Sequence, residues 1–510
     1  MRRLLIVSAA LAGGLLCASP LAAGDVHVQA AGPIGLGYVG LYYGLADPAT
    51  GQWYTGLGYD PFGETYQTRT WMAIADTGAS ACLLGKSTQE AYVSYDGVGI
   101  PLQPYPEVKF VDEGFGGSQD FAVTEPLRLM IADFKTADDP LNDPEDPSLY
   151  TAYGPVGGPT PPSIHLAASL EPIGSGEVDV DIVGMSVMEG RVLQVDPHYL
   201  QFMRLTFIVM AGSLTRPTPP AWDPRAMYLP VTLEGFFQDP QPVEVGRHAM
   251  LPVHIRHGPA DAFATRMALF DTGSPVNFVA ESFAAEAGID LDSPPDLLIP
   301  VSGVGSSQSE RPGWYVDALA LDLGRGREGD RLVLSNTAVF TIPDELMPGE
   351  LQAILGGGVF SPGVDSIYSL IWNDTPVLEW YLDTRDPEHA YIIVVMPDPV
   401  TAPGDANLDG RVSISDLGIL ADNYGLATGA NWSQGDFNGD GEVGVADLAA
   451  LADNYGYGGG GVPAGGGDQV PEPGCLLALL VGGGALVLVR RGRRLRPLWA
   501  SPARPWATWG

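Results

Sequence analysis

The sequence predicts a mainly β protein with two similar halves, followed by a small helical module, on the basis of three observations. First, residues 24–398 consist of short alternating or apolar runs interrupted by Gly and Pro, which is typical of strands. Second, the segment MAIADTGAS at 72–80 is weakly repeated as MALFDTGSP at 267–275. Third, residues 404–425 and 435–456 match at 14 of 22 positions, and each copy ends in a helical pattern.

The chain is strongly acidic, and this excludes one class of function. Its 510 residues include 61 Asp and Glu against 26 Lys and Arg, a formal net charge of −35. Such a chain would repel a phosphate backbone, so nucleic acid is not an expected partner. Because 45% of the residues are hydrophobic, the chain has enough apolar material for buried cores.

The first 23 residues have the layout of a secretory signal peptide. Two arginines are followed by an apolar run over 4–16 and by small residues that end at Ala23. Lipid attachment at Cys17 is the competing interpretation, but Leu16 stands where a small residue would be needed. The sequence therefore predicts a signal peptide over 1–23 and export of the protein.

The body of the chain is predicted to form two β lobes, residues 24–215 and 216–398. The clearest strand-like runs are 178–183, 191–195, 203–210 and 391–395. Residues 282–287 are one of few helical stretches. Residues 133–162 are dense in Pro, Asp and Gly, and they are predicted to form a surface insertion of the first lobe.

Each half contains one Asp-Thr-Gly, which directly follows an apolar, strand-like run. The two motifs begin at Asp76 and Asp271. Much later in each half, another strand-like run ends in Gly, at Gly184 and at Gly356. The separation is longer in the first half, and the predicted insertion accounts for the difference. A single Asp-Thr-Gly is weak evidence of a functional site, because many tight turns place Gly after a short polar residue. Two copies in the same sequence context are stronger evidence.

These motifs resemble those of the pepsin-like and retroviral-type aspartic proteases, over roughly Ile34 to Asp398. The resemblance implies a bilobal fold in which each lobe supplies one Asp-Thr-Gly loop to a shared site. It makes Asp76 and Asp271 the catalytic dyad. The implied loop-supporting residues, which brace the loops or let their backbones approach, are Thr77, Gly78, Thr272, Gly273 and Ser274.

The resemblance also implies a chemistry that needs neither a metal nor a covalent intermediate. Two carboxylates about 3 Å apart cannot both ionise cheaply, so one keeps a proton while the other is charged. The charged member would draw a proton from water, and that water would attack a peptide carbonyl. The protonated member would polarise the carbonyl oxygen.

A flap over the cleft is expected between Asp76 and Gly184, and the candidate tip residues are Phe115 and Gly116. Phe115 stands where pepsin-like flaps carry Tyr, and Ala79 follows the first Asp-Thr-Gly where pepsin-like enzymes usually have Ser. The resemblance implies a secreted or surface-associated aspartic endopeptidase. Because of these two departures, the alternative is a non-catalytic envelope or scaffold protein that binds peptides or cohesin-like partners.

Each copy of the strong repeat begins with oxygen-bearing residues at the spacing of a calcium loop. The predicted ligands of the first loop are Asp405, Asn407, Asp409, Arg411 through its carbonyl, Ser413 and Asp416. Those of the second loop are Asp436, Asn438, Asp440, Glu442 and Asp447. Position 12 is Asp in both loops, whereas EF-hands usually have Glu. The alternative is a pair of acid-rich turns that bind no ion.

The pair of loops and helices over 404–456 resembles a type I dockerin. Each loop leads into an apolar helical stripe that ends at Gly425 or Gly456. The resemblance implies bound Ca²⁺ and, as a possible partner, a cohesin-like domain. A calcium-stabilised spacer is the alternative role for this module.

The C-terminal region resembles a bacterial PEP-CTERM sorting signal. A Gly-rich linker over 458–469 precedes Pro-Glu-Pro at 471–473, fifteen uncharged residues and an Arg cluster that ends at Arg494. The resemblance implies that residues 470–494 direct the protein to the membrane, the cell envelope or the extracellular matrix. A short membrane anchor is the alternative, although fifteen helical residues reach only about 22 Å.

Overall fold

A computed structural model describes residues 25–455 with short gaps. The gaps are 36, 60–64, 115–116, 172–179, 204–206, 220–222, 224, 238, 259–260, 302–308, 325–330, 348–350, 365–372, 397–403, 407–411, 428–429, 431–433 and 438–441. The predicted signal peptide, the Gly-rich linker and the sorting segment lie outside the described residues. Within the described part, no helix has both the length and the apolar character needed to cross a bilayer.

The first half is built mainly of short strands. The strands are β1 Val26–Gln29, β2 Ile34–Gly35, β3 Tyr38–Ala46, β4 Gly56–Tyr59, β5 Thr65–Thr68, β6 Thr70–Ala75, β7 Leu83–Leu84, β8 Lys109–Gly114, β9 Gly117–Val123, β10 Arg128–Ala132, β11 Thr151–Tyr153, β12 Ala167–Ala168, β13 Ile182–Val183, β14 Val192–Met203 and β15 Phe207–Ser213. The helices are α1 Lys86–Asp96, α2 Phe134–Ala137 and α3 Met185–Met188, with a 3₁₀ turn at Pro147–Leu149.

The second half is also built mainly of short strands. Its strands are β16 Ala226–Glu234, β17 His248–Arg256, β18 Ala264–Asp271, β19 Asn277–Ala280, β20 Leu297–Val301, β21 Ser309–Val316, β22 Ala318–Asp322, β23 Arg331–Ser335, β24 Thr337–Ile342, β25 Ala353–Gly356, β26 Gly363–Val364, β27 Glu379–Asp383 and β28 Ala390–Val395. Its described residues include the α-helix α4 Glu281–Glu286 and 3₁₀ turns at Asp344–Leu346 and Gly357–Phe360. The prediction of a mainly β protein is confirmed.

The same strand arrangement surrounds the Asp-Thr-Gly segment of each half. In the first half β6 pairs antiparallel with β3 and parallel with β13. In the second half β18 pairs antiparallel with β17 and parallel with β25. The weak sequence repeat therefore corresponds to a structural repeat, in which a central strand leads directly into each Asp-Thr-Gly.

A central sheet joins the two halves. Its strands are hydrogen-bonded in the order β3, β15, β14, β27, β28 and β16, so each half contributes three of them. Trp380 on β27 is fully buried, and its ring packs edge-on against Phe270 at a centroid distance of 5.6 Å. Phe270 immediately precedes Asp271, so this buried contact helps to fix the end of β18 at which the second Asp-Thr-Gly begins.

The start of the chain crosses into the sheet of the second half. β1 pairs in parallel with β23, and β2 pairs antiparallel with β26. The sequence analysis grouped these strands with the first lobe, residues 24–215. Their actual partners lie more than 300 residues away in the chain, and no local pattern indicates which sheet edge a strand will join.

The prediction of a surface insertion over 133–162 is wrong for part of that stretch. It contains α2, a 3₁₀ turn and β11, which pairs with β10. Phe134 and Tyr150 within it are buried. The acidic residues also form contacts, because the Glu145 carboxylate accepts hydrogen bonds from the backbone N–H of Arg69 at 2.9 and 3.1 Å. Aromatic residues spaced among the Pro and Asp therefore fold this segment onto the sheet.

In the described part of residues 404–456, the helical module has the helices α5 Ile414–Asn423 and α6 Val445–Asp453. Each buries one leucine, Leu420 and Leu451, in a small core shared with Val412 and Val443. The leucines lie on the apolar stripes that the sequence predicted. A pair of strand-like backbone hydrogen bonds, between residue 425 and Val443 and between Val443 and Leu426, ties the two copies together.

We expect Gly356→Ala to destabilise the second half. A Cβ atom on Gly356 would lie 2.3 Å from the carbonyl oxygen of Val276, so the backbone would have to move. The expected loss is about 1–3 kcal/mol of unfolding free energy, measured by denaturant titration. Gly235→Ala is the control, since its Cβ would meet only Arg247 Cγ at 3.6 Å. Equal stability of the two variants would contradict this account of the glycine.

Candidate active site

The structure brings together the two acidic residues that lie 195 positions apart in the chain. Asp76 directly follows β6, and Asp271 is the last residue of β18. A Cβ atom on Gly78 would lie 2.5 Å from Asp271 Oδ1, and one on Gly273 would lie 2.5 Å from Asp76 Oδ2. Each glycine therefore makes room for the carboxyl group of the other half, because any side chain there would clash.

The two threonines of the motifs form a crossed set of buried hydrogen bonds between the halves. Thr77 N–H donates to Thr272 Oγ1 at 2.9 Å, and Thr272 N–H donates to Thr77 Oγ1 at 3.0 Å. Each hydroxyl then donates to a carbonyl across the interface, Thr77 to Phe270 at 2.7 Å and Thr272 to Ala75 at 2.6 Å. All four groups are satisfied, so this arrangement locks the relative position of the two loops.

Each carboxylate is also oriented within its own loop. Gly78 N–H donates to Asp76 Oδ1, and Gly273 N–H donates to Asp271 Oδ1, both at 2.8 Å. Ser274 does not contact the carboxylates through its hydroxyl, which donates to Val276 O at 2.7 Å and braces its own loop. The equivalence of the two halves therefore extends to individual hydrogen bonds at the acidic residues.

The strands before Gly184 and Gly356 lie directly behind the two loops. Asp76 N–H donates to Val183 O at 3.0 Å, and in the second half Asp271 lies opposite Gly356 in the β18–β25 pair. A Cβ atom on Gly184 would lie 2.1 Å from Ala81 O. The supporting strands can pass this close to the loops only because they end in glycine.

The electrostatic environment favours one shared proton. Burial raises the pKa of Asp76, and burial together with the neighbouring charge of Asp76 raises the pKa of Asp271 well above its ordinary value. Burial, with the negative charge of both acids, also raises the pKa of Tyr38 to about 12. The proton belongs to the pair, so the site can present an acid and a base at the same time.

A hairpin stands where the flap was predicted. β8 and β9 pair antiparallel from Lys109 opposite Ala122 to Gly114 opposite Gly117. The predicted tip residues, Phe115 and Gly116, lie outside the described residues. At the base of the hairpin, Phe110 packs against Phe237 of the second half with a centroid distance of 5.5 Å.

The sequence analysis missed His248, the first residue of β17. Its Nε2 lies 2.7 Å from Ser80 Oγ, and its Nδ1 lies 3.1 Å from Thr77 O. The histidines are scattered along the chain and form no motif, so nothing local marked this one. Its position opposite the Asp-Thr-Gly strand becomes visible only when β17 is paired with β18.

The predicted calcium ligands lie in the helical module, and the structure describes only some of them. Asp405, Asp416, Asp436 and Asp447 are buried. Asp416 accepts hydrogen bonds from Ala406 N–H at 2.9 Å and Ser413 N–H at 2.8 Å. The equivalent Asp447 accepts from the N–H groups of residues 437 and 444, both at 2.8 Å.

The remaining predicted ligands divide into two groups. Glu442 is exposed and Ser413 caps the start of α5. The other predicted ligands, Asn407, Asp409, Arg411, Asn438 and Asp440, lie outside the described residues. In the part of the chain that the structure describes, no three His, Cys, Asp or Glu side chains form a group that could hold a metal.

The chain was compared with protein-family models, curated proteins and solved structures. No protein-family model matches the chain, and no curated protein sequence matches it. Among solved structures, the chain is similar to the crystal structure of the aspartic proteinase from Irpex lacteus, at 12% identity and a TM-score of 0.33. The match covers 69% of this chain and 95% of that one. A similarity this low assigns nothing to the chain, and the candidate site rests on its own geometry.

We predict that Asp271→Asn makes the protein more stable at neutral pH. Because the raised pKa lets the folded state hold a proton that the unfolded chain has lost, stability falls as pH rises above the ordinary value of 3.8. Removing this group removes that decline. Melting temperatures between about pH 3 and about pH 7 should therefore fall less steeply in the variant than in the wild type.

Asp223→Asn is the control of opposite sign. Burial raises the pKa of Asp223, but its hydrogen bonds with Arg225 outweigh burial and hold the pKa below the usual value. Its contribution to stability is present above the unfolded pKa and is lost as pH falls, so this variant should lose stability at neutral pH. A parallel decline in wild type and Asp271→Asn would contradict the raised pKa.

Proposed function

We propose that the protein is an aspartic endopeptidase that hydrolyses peptide bonds with Asp76 and Asp271. The observation that carries the proposal is the dyad itself: two carboxyl groups close together, held by crossed threonine bonds from two equivalent loops. This arrangement supplies the shared proton that acid–base attack by water requires. The pepsin-like bilobal fold is part of the same proposal.

The two acids take complementary roles in this mechanism. Asp76 is the charged member, because the hydrogen bonds from the Asp271 carboxyl group and from Gly78 N–H favour its ionised form, to which a protonated His248 adds at acid pH. It would take a proton from a water held between the carboxylates, and the resulting nucleophile would attack the peptide carbonyl. Asp271 keeps its proton because of burial and the charge of Asp76, and it would donate a hydrogen bond to the carbonyl oxygen.

We further propose that the helical module binds calcium. Its four buried aspartates occupy equivalent places in the two copies, and the paired amide contacts of Asp416 and Asp447 are the same in both. Buried carboxylates are hard oxygen donors, which suits Ca²⁺. The dockerin-like identity, a cohesin-like partner and delivery to the bacterial envelope through residues 470–494 remain parts of this proposal.

Replacing either acid should abolish cleavage. Incubated with a denatured protein mixture at acid to neutral pH, Asp76→Asn and Asp271→Asn should each lose about 10²- to 10⁴-fold in kcat/KM, because each removes one partner of the shared proton. Mass spectrometry of the product ends gives the measurement. Asp290→Asn, an exposed Asp of the second half, should retain wild-type activity. Cleavage that survives in either dyad variant would contradict the proposal.

Calcium should stabilise the helical module. At a free calcium concentration about 100 times Kd, binding to the folded form alone adds about 2.7 kcal/mol, so calorimetry with and without chelator should shift one transition. Asp416→Ala and Asp447→Ala together should remove the shift. Asp422→Asn, an exposed residue of α5, should leave it unchanged. A shift that survives the double variant would place the ion elsewhere.

A further inference from the structure

His248 ties together both ends of the segment that follows Asp76. One ring nitrogen contacts the carbonyl oxygen of Thr77 at 3.1 Å, and the other contacts the hydroxyl of Ser80 at 2.7 Å. His248 and Ser80 are both buried. A single rigid side chain from the second half thus spans the Asp-Thr-Gly turn of the first half.

The partners fix the tautomer of the ring. A carbonyl oxygen only accepts hydrogen bonds, so Nδ1 of His248 must carry the proton that points to Thr77. Nε2 of the neutral ring is then an acceptor, and the Ser80 hydroxyl donates to it. Phe236 stacks on the imidazole at a centroid distance of 4.6 Å and an interplanar angle of 23°, which holds the plane of the ring.

The arrangement is not repeated on the other side of the dyad. Met250 faces Leu269, so His248 and Asp271 each lie two residues beyond this pair. In the first half Gly40 faces Ile74, and Tyr38 and Asp76 each lie two residues beyond that pair. His248 and Tyr38 therefore occupy equivalent places in the two halves.

The loop positions they face also differ. Gly246 N–H donates to Ser80 O, and Gly35 N–H donates to Pro275 O in the equivalent contact. Proline has no hydroxyl group, so the second loop cannot make the bond that Ser80 makes. Among the described contacts of the two loops, an imidazole holds the loop of Asp76 and not that of Asp271.

We propose that His248 is a positioning residue of the dyad: its two hydrogen bonds fix the Thr77–Ser80 turn and thereby the Asp76 carboxylate, and at acid pH the protonated ring favours the ionised form of Asp76. This inference rests on the proposed endopeptidase function. It adds a residue that acts through the loop and touches neither the substrate nor the attacking water.

The charges around the ring are consistent with this role. Burial lowers the pKa of His248, while the hydrogen bond to Thr77 and the charges of Asp76, directly after β6, and of Glu189, after α3, oppose that effect. Glu189 is itself engaged, since it accepts hydrogen bonds from Arg247 N–H at 2.8 Å and from its guanidinium at 2.6 and 2.8 Å. The ring is therefore neutral except at acid pH, where protonation places a positive charge next to Asp76.

Three variants test the proposal in the full-length protein. His248→Phe keeps a ring against Phe236 but removes both hydrogen bonds. His248→Asn can still donate from its amide to Thr77 and so restores one bond. His254→Phe is the matched control on the same strand, because His254 is also buried and bonded, to Thr265 at 2.8 Å and Asp322 at 2.9 Å, away from the dyad.

We expect His248→Phe to lower kcat at least about tenfold with KM changed less than about twofold, because a misplaced carboxylate affects the chemical step. His248→Asn should recover part of that loss. In both variants the acid limb of kcat/KM should move to higher pH, since Asp76 loses a nearby positive charge. His254→Phe should lower the melting temperature but leave kcat and the pH profile unchanged.

The proposal is overturned if His248→Phe keeps the wild-type kcat and pH profile, or if His254→Phe reproduces its loss. A second measurement separates this inference from the proposed function. In ¹⁵N-histidine-labelled protein, NMR should show the Nδ1–H tautomer of His248 and a titration midpoint that falls in Asp76→Asn. A wild type that cleaves no protein would overturn the endopeptidase; the Nε2–H tautomer or an unchanged midpoint would overturn the positioning role.

Discussion

The crossed hydrogen bonds between Thr77 and Thr272 are the constraint on which the rest of the structure depends. They lie where the two Asp-Thr-Gly loops meet, and each threonine uses both its amide and its hydroxyl across the interface. Because all four bonds are buried, any relative shift of the halves would leave polar groups without partners, at a cost of about 1–3 kcal/mol each. The central sheet around Trp380 holds the two halves in the one position where these bonds are made.

The two loops must be held in one position because the site brings two carboxyl groups together where burial opposes their ionisation. Two carboxyl groups whose pKa values are both raised destabilise the folded state at neutral pH, so the surrounding structure must supply the stability that the pair removes. Glycine at four positions around the loops permits the close approach, and side chains there would collide with backbone or carboxyl oxygens. The reactive protonation state is thus a consequence of packing, and it requires no metal in the proposed mechanism.

The sequence was sufficient to predict those parts of the site that are local and repeated. Asp76 and Asp271, their threonines and the strands that end at Gly184 and Gly356 could be located because each copy supports the interpretation of the other. The crossing of β1 to β23 was not predictable, since β pairing over such a separation leaves no periodic signal. Buried Phe134 and Tyr150 likewise lay hidden in a segment whose Pro and Asp content indicates a loop. His248 was missed for the same reason: its partners come from the other half of the chain.

Two equivalent halves do not by themselves distinguish the two acids, and His248 helps to distinguish them. Two equivalent loops, with identical hydrogen bonds from Gly78 and Gly273, give no reason for one acid to ionise before the other. General acid–base chemistry nevertheless requires one carboxylate and one carboxyl group. The two halves differ in the residues next to the acids. His248 contacts Ser80 of the first loop, while Tyr38 and Pro275 take the equivalent places in the other half. A titratable imidazole on one side and a phenol on the other give the two acids different surroundings without disturbing the crossed threonines that both require.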